Sequence, residues 1–224
     1  MKKLKISKEL TTIVKNFNVS AYTFGLVEKN NKENLSIEIT KAFDEITKEY
    51  QQKYQIEEVT KIEKIKQTRD GYKLLGKDPS HTRPACEALL RRIIKNGNIY
   101  RLGDAIDIGN YISIKLMKSV CMVDLDKIVG DINIRIGNTN DIYEGINRGL
   151  INVSNIPLYT DDVSPFGNPT SDTLRTAITS KTENVLIMLI HFDSNIEEDE
   201  QKMLTILNKY LKINNINKII VTND

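Results

Sequence analysis

Apolar positions recur along this chain at two periods, and the switches between them outline the elements. Leu35, Ile39, Ala42, Phe43, Ile46 and Tyr50 return at steps of three and four, so residues 34–54 predict a long amphipathic helix. Residues 3–6 read as a short strand, 7–15 as a short helix, and the β-rich 19–27 as a strand. Residues 57–73 predict a second helix. A third starts at Pro84, whose missing N–H suits a first turn, and stops at the capping Gly97. Residues 104–116 fit two templates: Ile106, Ile108, Ile112, Ile114 and Leu116 alternate as in a strand, while Ile108, Ile112 and Leu116 also fit a helix. Ile132, Ile134 and Ile136 alternate with polar residues, as a half-buried strand does. Residues 185–192, with the unbroken apolar run from Val185 to Ile190, predict a strand covered on both faces. Residues 195–212 read as a helix whose acidic first turn (Glu197, Glu198, Asp199, Glu200) suits the macrodipole, and 218–222 close as a strand. The order of elements predicts an α/β (α+β) fold, a mixed sheet with flanking helices, in a single domain over 1–224.

Composition narrows the chemistry. The 224 residues are 40% hydrophobic and 28% charged, with 11 Gly and 5 Pro, which suits a globular chain that needs no disulfide or metal to fold. No apolar run reaches the length of a membrane span, and no targeting signal is visible, so the expected place is the cytoplasm. Cys86 and Cys121 stand alone, and two His leave no three-His metal set, so neither metal nor cofactor is expected. Glycine-rich phosphate loops, HExxH and GxSxG motifs are all missing. Catalysis, if present, must rest on carboxylates, amides, hydroxyls, Arg and backbone N–H groups.

Charge is uneven. Residues 1–127 hold 24 Lys+Arg against 17 Asp+Glu, a net of +7, and residues 128–224 hold 8 against 13, a net of −5. Such a split suits either a polyanion-binding face or two halves that interleave and cancel. Arg83, Arg91, Arg92 and Lys95 supply sequence-independent cations for RNA phosphates, or form a solvated helix face with a Glu87–Arg91 pair.

Three segments carry a family resemblance. The first is Tyr72-Lys73-Leu74-Leu75-Gly76-Lys77-Asp78-Pro79, with Arg83-Pro84 and Glu87-Ala88-Leu89-Leu90-Arg91-Arg92. The second is Asp107-Ile108-Gly109-Asn110-Tyr111, then Asp124-Leu125-Asp126-Lys127-Ile128 and Gly130. The third is Phe166-Gly167-Asn168-Pro169-Thr170, then Asp172, Arg175 and Thr182. In order and spacing they resemble the B3/B4 domain of the phenylalanyl-tRNA synthetase β subunit, and free-standing proteins built from that domain. The resemblance implies trans-acting hydrolysis of the ester in mischarged aminoacyl-tRNA, with tRNA as partner. Alternatives are a non-catalytic tRNA- or RNA-binding module and a domain that binds an amino acid or another small molecule.

The resemblance also points at residues. Asp107 and Asn110 would anchor the terminal ribose and the attacking water, or form a buried pair that fixes a helix. Asp172 would grip an α-amino group; Arg175 would meet a phosphate or an oxyanion, or pair with Asp172 instead. Gly167, Thr170 and Ser171 would line the substrate pocket, Gly167 by letting backbone come close. The family's His falls where Cys121 stands and its pocket Glu where Met188 stands, so these two line the pocket in altered form. Cys121 reads as packing rather than nucleophile, because no His is placed to activate it.

Overall fold

A computed structural model of the chain describes residues 2–27 and 32–223. In chain order the elements are β1 (Leu4–Ile6), α1 (Lys8–Ile13), β2 (Asn18–Leu26), α2 (Lys32–Lys53), α3 (Glu63–Leu74), α4 (Ala85–Asn96), α5 (Asp104–Leu116), β3 (Val120–Asp124), β4 (Ile132–Ile136), β5 (Glu144–Gly145), β6 (Gly149–Leu150), β7 (Pro157–Thr160), β8 (Pro165–Asn168), β9 (Ser171–Asp172), β10 (Asn184–His191), α6 (Ile196–Tyr210), β11 (Ile213–Lys218) and β12 (Val221–Asn223). The expected mixed α/β architecture is what these elements build.

Two sheets organise the chain. A six-stranded sheet runs β12-β1-β4-β7-β8-β9, parallel at β12-β1-β4 and antiparallel beyond. A four-stranded antiparallel sheet runs β11-β2-β10-β3. Side chains alternate across a strand, so β10 serves two cores. Leu186, Met188 and Ile190 pack between the sheets with Leu4, Ile134, Leu158 and Phe166. Val185, Ile187 and Leu189 pack on the far side with Ile39 of α2, Leu90 of α4, Ile112 of α5 and Leu207 of α6. The continuous apolar run of β10 therefore reflects a strand between a second sheet and a layer of helices.

Residues 104–116 resolve as helix. Gly103 turns the chain with φ +128°, Asp107 accepts from the Leu102 and Gly103 amides ahead of α5, and Met117 closes it in the left-handed region. Two other readings are corrected. The helix read over 57–73 splits into a turn at Val59–Lys61 and α3, because Ile62 is extended between them. The closing strand read at 218–222 is two strands: β11 joins the four-stranded sheet and β12 the six-stranded one. Among the described residues no helix is long and apolar enough to cross a membrane.

Candidate functional site

The turn-rich segment after β8 forms a tight hairpin. Asn168 Oδ1 accepts from the Thr170 and Ser171 amides at 2.9 and 3.1 Å, which reverses the chain and starts β9. Across the ladder Tyr159, Gly167 and Asp172 fall in one register row. A Cβ on Gly167 would stand 2.8 Å from the Tyr159 ring, 3.1 Å from Asp172 Oδ1 and 3.4 Å from Cys121 Sγ, so only glycine lets these groups converge. Cys121 comes from β3 in the opposite sheet, with the fully buried Met188 beside it in register on β10.

Burial dominates the electrostatics of this cluster. It pushes the Asp172 carboxyl up to about 7, opposed by a hydrogen bond from the Cys121 thiol. Burial, and then the Asp172 charge, lifts the Cys121 thiol well above its ordinary range, so it is no nucleophile at neutral pH. Tyr159 is likewise held protonated by burial, and its hydroxyl has no hydrogen-bond partner. A buried phenol without a partner costs stability and marks a place where a ligand oxygen would be welcome. The neighbouring Tyr143 and Tyr72 are satisfied: Tyr143 donates to the Ser171 carbonyl at 2.6 Å, and Tyr72 meets Thr170 Oγ1 at 2.9 Å. Asp172 is half-buried, and the β5–β6 hairpin lies against it, with the Ile146 amide donating to the Asp172 carbonyl.

The other residues read from the sequence disperse. Asp107 binds Arg101 at 2.7 Å and accepts from the Leu102 and Gly103 amides at the start of its own helix. Asn110 rides on the same helix. Gly109 between them faces Val120 and Met122, the β3 side chains opposite in direction to Cys121. Asp107 and Asn110 therefore lie across the four-stranded sheet from Asp172. Arg175 pairs with Asp161 at 2.8 Å, not with Asp172, and also ties the Lys127 and Ser164 carbonyls. Thr170 and Ser171 turn their hydroxyls to Tyr72 and Asn168. The buried Glu87 of α4 bonds Arg91 on the same helix and Arg83 just ahead of it, Arg92 lies over the Tyr100 ring, and Lys95 is exposed.

A second polar cluster had no clear sequence signal. Lys118, 2% exposed, donates to His191 Nδ1 at 2.8 Å and pairs with Asp193 and Asp199 at 2.7 and 2.8 Å. Because Nδ1 accepts, His191 Nε2 carries the proton and donates to Ser20 Oγ, which donates to Glu200. Tyr22 and Lys218 complete Glu200, and Lys64 completes Asp199. Burial and then the Lys118 charge lower His191 to about 4, so it is neutral at pH 7. His191, Asp193 and Asp199 have the chemistry of a metal set, with ligand atoms within 4.8 Å of one another. The Lys118 ammonium already sits among them, however, and a divalent ion there would meet its charge, so the set does not fit a metal. The acidic first turn of α6, read as capping, thus divides: Asp199 and Glu200 turn inward, while Glu198 pairs with Lys202 outside.

Similarity to known proteins agrees with this architecture. Among curated proteins none matches the chain. The crystal structure of an N-terminal fragment of the phenylalanyl-tRNA synthetase β subunit from Pyrococcus horikoshii superposes with a TM-score of 0.52 at 12% identity. The superposition covers 99% of this chain and 52% of that one, so this chain spans about half its length and shares its fold. The model of the B3/4 domain family matches residues 67–210, from α3 to the end of α6, and the chain belongs to that family.

Proposed function

We propose that this chain hydrolyses the ester between an amino acid and the 3′ end of a tRNA, acting in trans on mischarged tRNA in the cytoplasm, with the Asp172–Gly167–Tyr159 row as its site. One observation carries the reading: Asp172 is an aspartate with a proton affinity near neutrality, set beside an unpartnered phenol across a strand position that only glycine fits. A carboxyl of this kind exchanges a proton with water at pH 7. Asp172 takes a proton from the attacking water as its oxygen bonds to the ester carbonyl carbon. The Tyr159 hydroxyl donates to the oxyanion that forms. As the carbon–oxygen bond to the ribose breaks, Asp172 returns its proton to the leaving ribose oxygen, giving a free amino acid and an uncharged tRNA. The structural likeness to a tRNA synthetase subunit supports tRNA as the substrate class.

The experiment is a deacylation assay over a panel of mischarged tRNAs, with Asp172→Asn and Tyr159→Phe as variants. Asp172→Asn should slow hydrolysis at least a hundredfold and Tyr159→Phe ten- to hundredfold, while both stay folded by circular dichroism. Parental rates in Asp172→Asn would remove the site. Absence of hydrolysis by the parent across the panel, with tRNA still bound, would leave the non-catalytic module.

A further inference from the structure

A basic hollow lies between the Val59–Lys61 turn and α3, remote in sequence from the row at Asp172. Thr60, Lys61, Lys66, Arg69, Asp70 and Lys73 line it, around a cavity of about 440 Å³. Lys66, Arg69, Asp70 and Lys73 follow the three-four spacing of α3, so they form one stripe on the helix. Four cations face one carboxylate. That carboxylate is already engaged: Asp70 meets Lys73 at 2.9 Å and Lys66 at 3.9 Å.

Arg69 is the fixed part of the wall. Its Nη1 donates to Glu87 Oε2 at 2.8 Å and to the Pro79 carbonyl at 3.3 Å, and its Nη2 donates to Ser80 Oγ at 3.3 Å. Its side chain is only 14% exposed. Glu87 also takes Arg91 at 2.8 Å and Arg83 at 3.3 Å, so one buried carboxylate anchors three guanidiniums and leaves the region in positive excess. A guanidinium held this way has lost its rotational freedom before any anion arrives, which lowers the entropic cost of binding. Arg83 and Arg91 thus share with Arg69 the carboxylate of Glu87.

The lining contains no aromatic and no aliphatic side chain, so the hollow has nothing on which to stack a base or seat an apolar group. Lysine, arginine and a threonine hydroxyl are the groups that take phosphate oxygens without reading sequence. We propose that this hollow binds a phosphodiester of an RNA backbone and docks tRNA through α3. The proposal rests on the reading of the chain as a tRNA-handling domain and deepens it by placing the contact on α3.

The test measures the affinity of the full chain for unmodified tRNA as a function of salt. Lys66 and Lys73 are 59% and 60% exposed, so a Lys66→Gln/Lys73→Gln double variant should fold normally. It should bind tRNA at least tenfold more weakly at low salt and flatten the slope of log K against log salt by about 1.4 to 1.8, two contacts' worth. An Arg92→Gln/Lys95→Gln double variant should change affinity less than twofold. Parental affinity in the α3 variant, or a larger loss in the α4 variant, overturns the proposal. Micromolar binding of inorganic phosphate alone, undisturbed by tRNA, would make the hollow a small-anion site and overturn it too, as would failure of the parent to bind any RNA. RNA bound at α3 without ester hydrolysis would keep the hollow and remove the deacylation reading. Hydrolysis at the parental rate and KM in the α3 variant would do the reverse.

Discussion

Two buried polar clusters flank β10 three residues apart, and they are built on opposite principles. Around His191 every charge is matched: Lys118, Lys64 and Lys218 against Asp193, Asp199 and Glu200, with Ser20 and Tyr22 filling the remaining donors and acceptors. Around Met188 the matching fails: Asp172 has a thiol as its side-chain partner, and the Tyr159 hydroxyl has none. A satisfied network locks α6 onto β2 and β10 and has no capacity left for a ligand. An unsatisfied one sacrifices stability and keeps hydrogen-bonding capacity for something that arrives from outside. The contrast distinguishes a fastening from a site more sharply than the residue types do, since both clusters contain aspartate and tyrosine.

The strongest way to break the comparison is to unpair the fastening. Lys118→Met leaves Asp193 and Asp199 buried without their shared cation. It should lose about 3 to 5 kcal/mol in denaturant unfolding, because an uncompensated buried charge is what such a deletion leaves. Asp172→Asn should be neutral or stabilising at pH 8 in the same experiment. A Lys118→Met protein as stable as its parent would show that the network fastens nothing.

Crowding the row comes next. Gly167→Ala puts a methyl 2.8 Å from the Tyr159 ring in a row with no free volume, which should cost about 1 to 3 kcal/mol and abolish any hydrolysis. A thermal melt and the deacylation assay read the two effects, and an active, fully stable variant would mean the row closes elsewhere.

The gentlest test uses pH. His191 titrates near 4 in the native state against 6.5 ordinarily, so the unfolded chain takes up a proton that the native chain refuses, and stability falls as pH drops from 6.5 to 4. Asp172 runs the other way. Its native value of about 7 lies above the ordinary 3.8, so its contribution is full below 3.8 and is lost as pH rises toward 7. Each slope is about 1.4 kcal/mol per pH unit at most, and in the parent they oppose one another between pH 4 and 6.5. His191→Gln should leave stability falling with pH across that window, and Asp172→Asn should leave it rising. Identical pH profiles in both variants would dissolve the distinction between the clusters.

Local pattern was enough for much of the scaffold. The three-four stripe of α2, the apolar run of β10, the Gly97 stop of α4 and the turn chemistry before Asp172 are short-range properties, set by side-chain periodicity and backbone preference. The resemblance carried by the three motifs led to the same fold, with motif residues spread over the end of α3, the bodies of α4 and α5, strand β8 and the turns between elements. Tertiary structure decided the rest. Whether residues 104–116 were helix or strand depended on Asp107 reaching back to Arg101 and on the sheet beneath. That Asp172 lies against Cys121 and Tyr159, and not Arg175, follows from one sheet packing on another. Lys118 meets His191 across 73 residues and Ser20 meets it across 171. No period along the chain encodes such meetings; they exist because burying two apolar faces of β10 at once brings distant polar residues to its edges, where each must find a partner or remain without one.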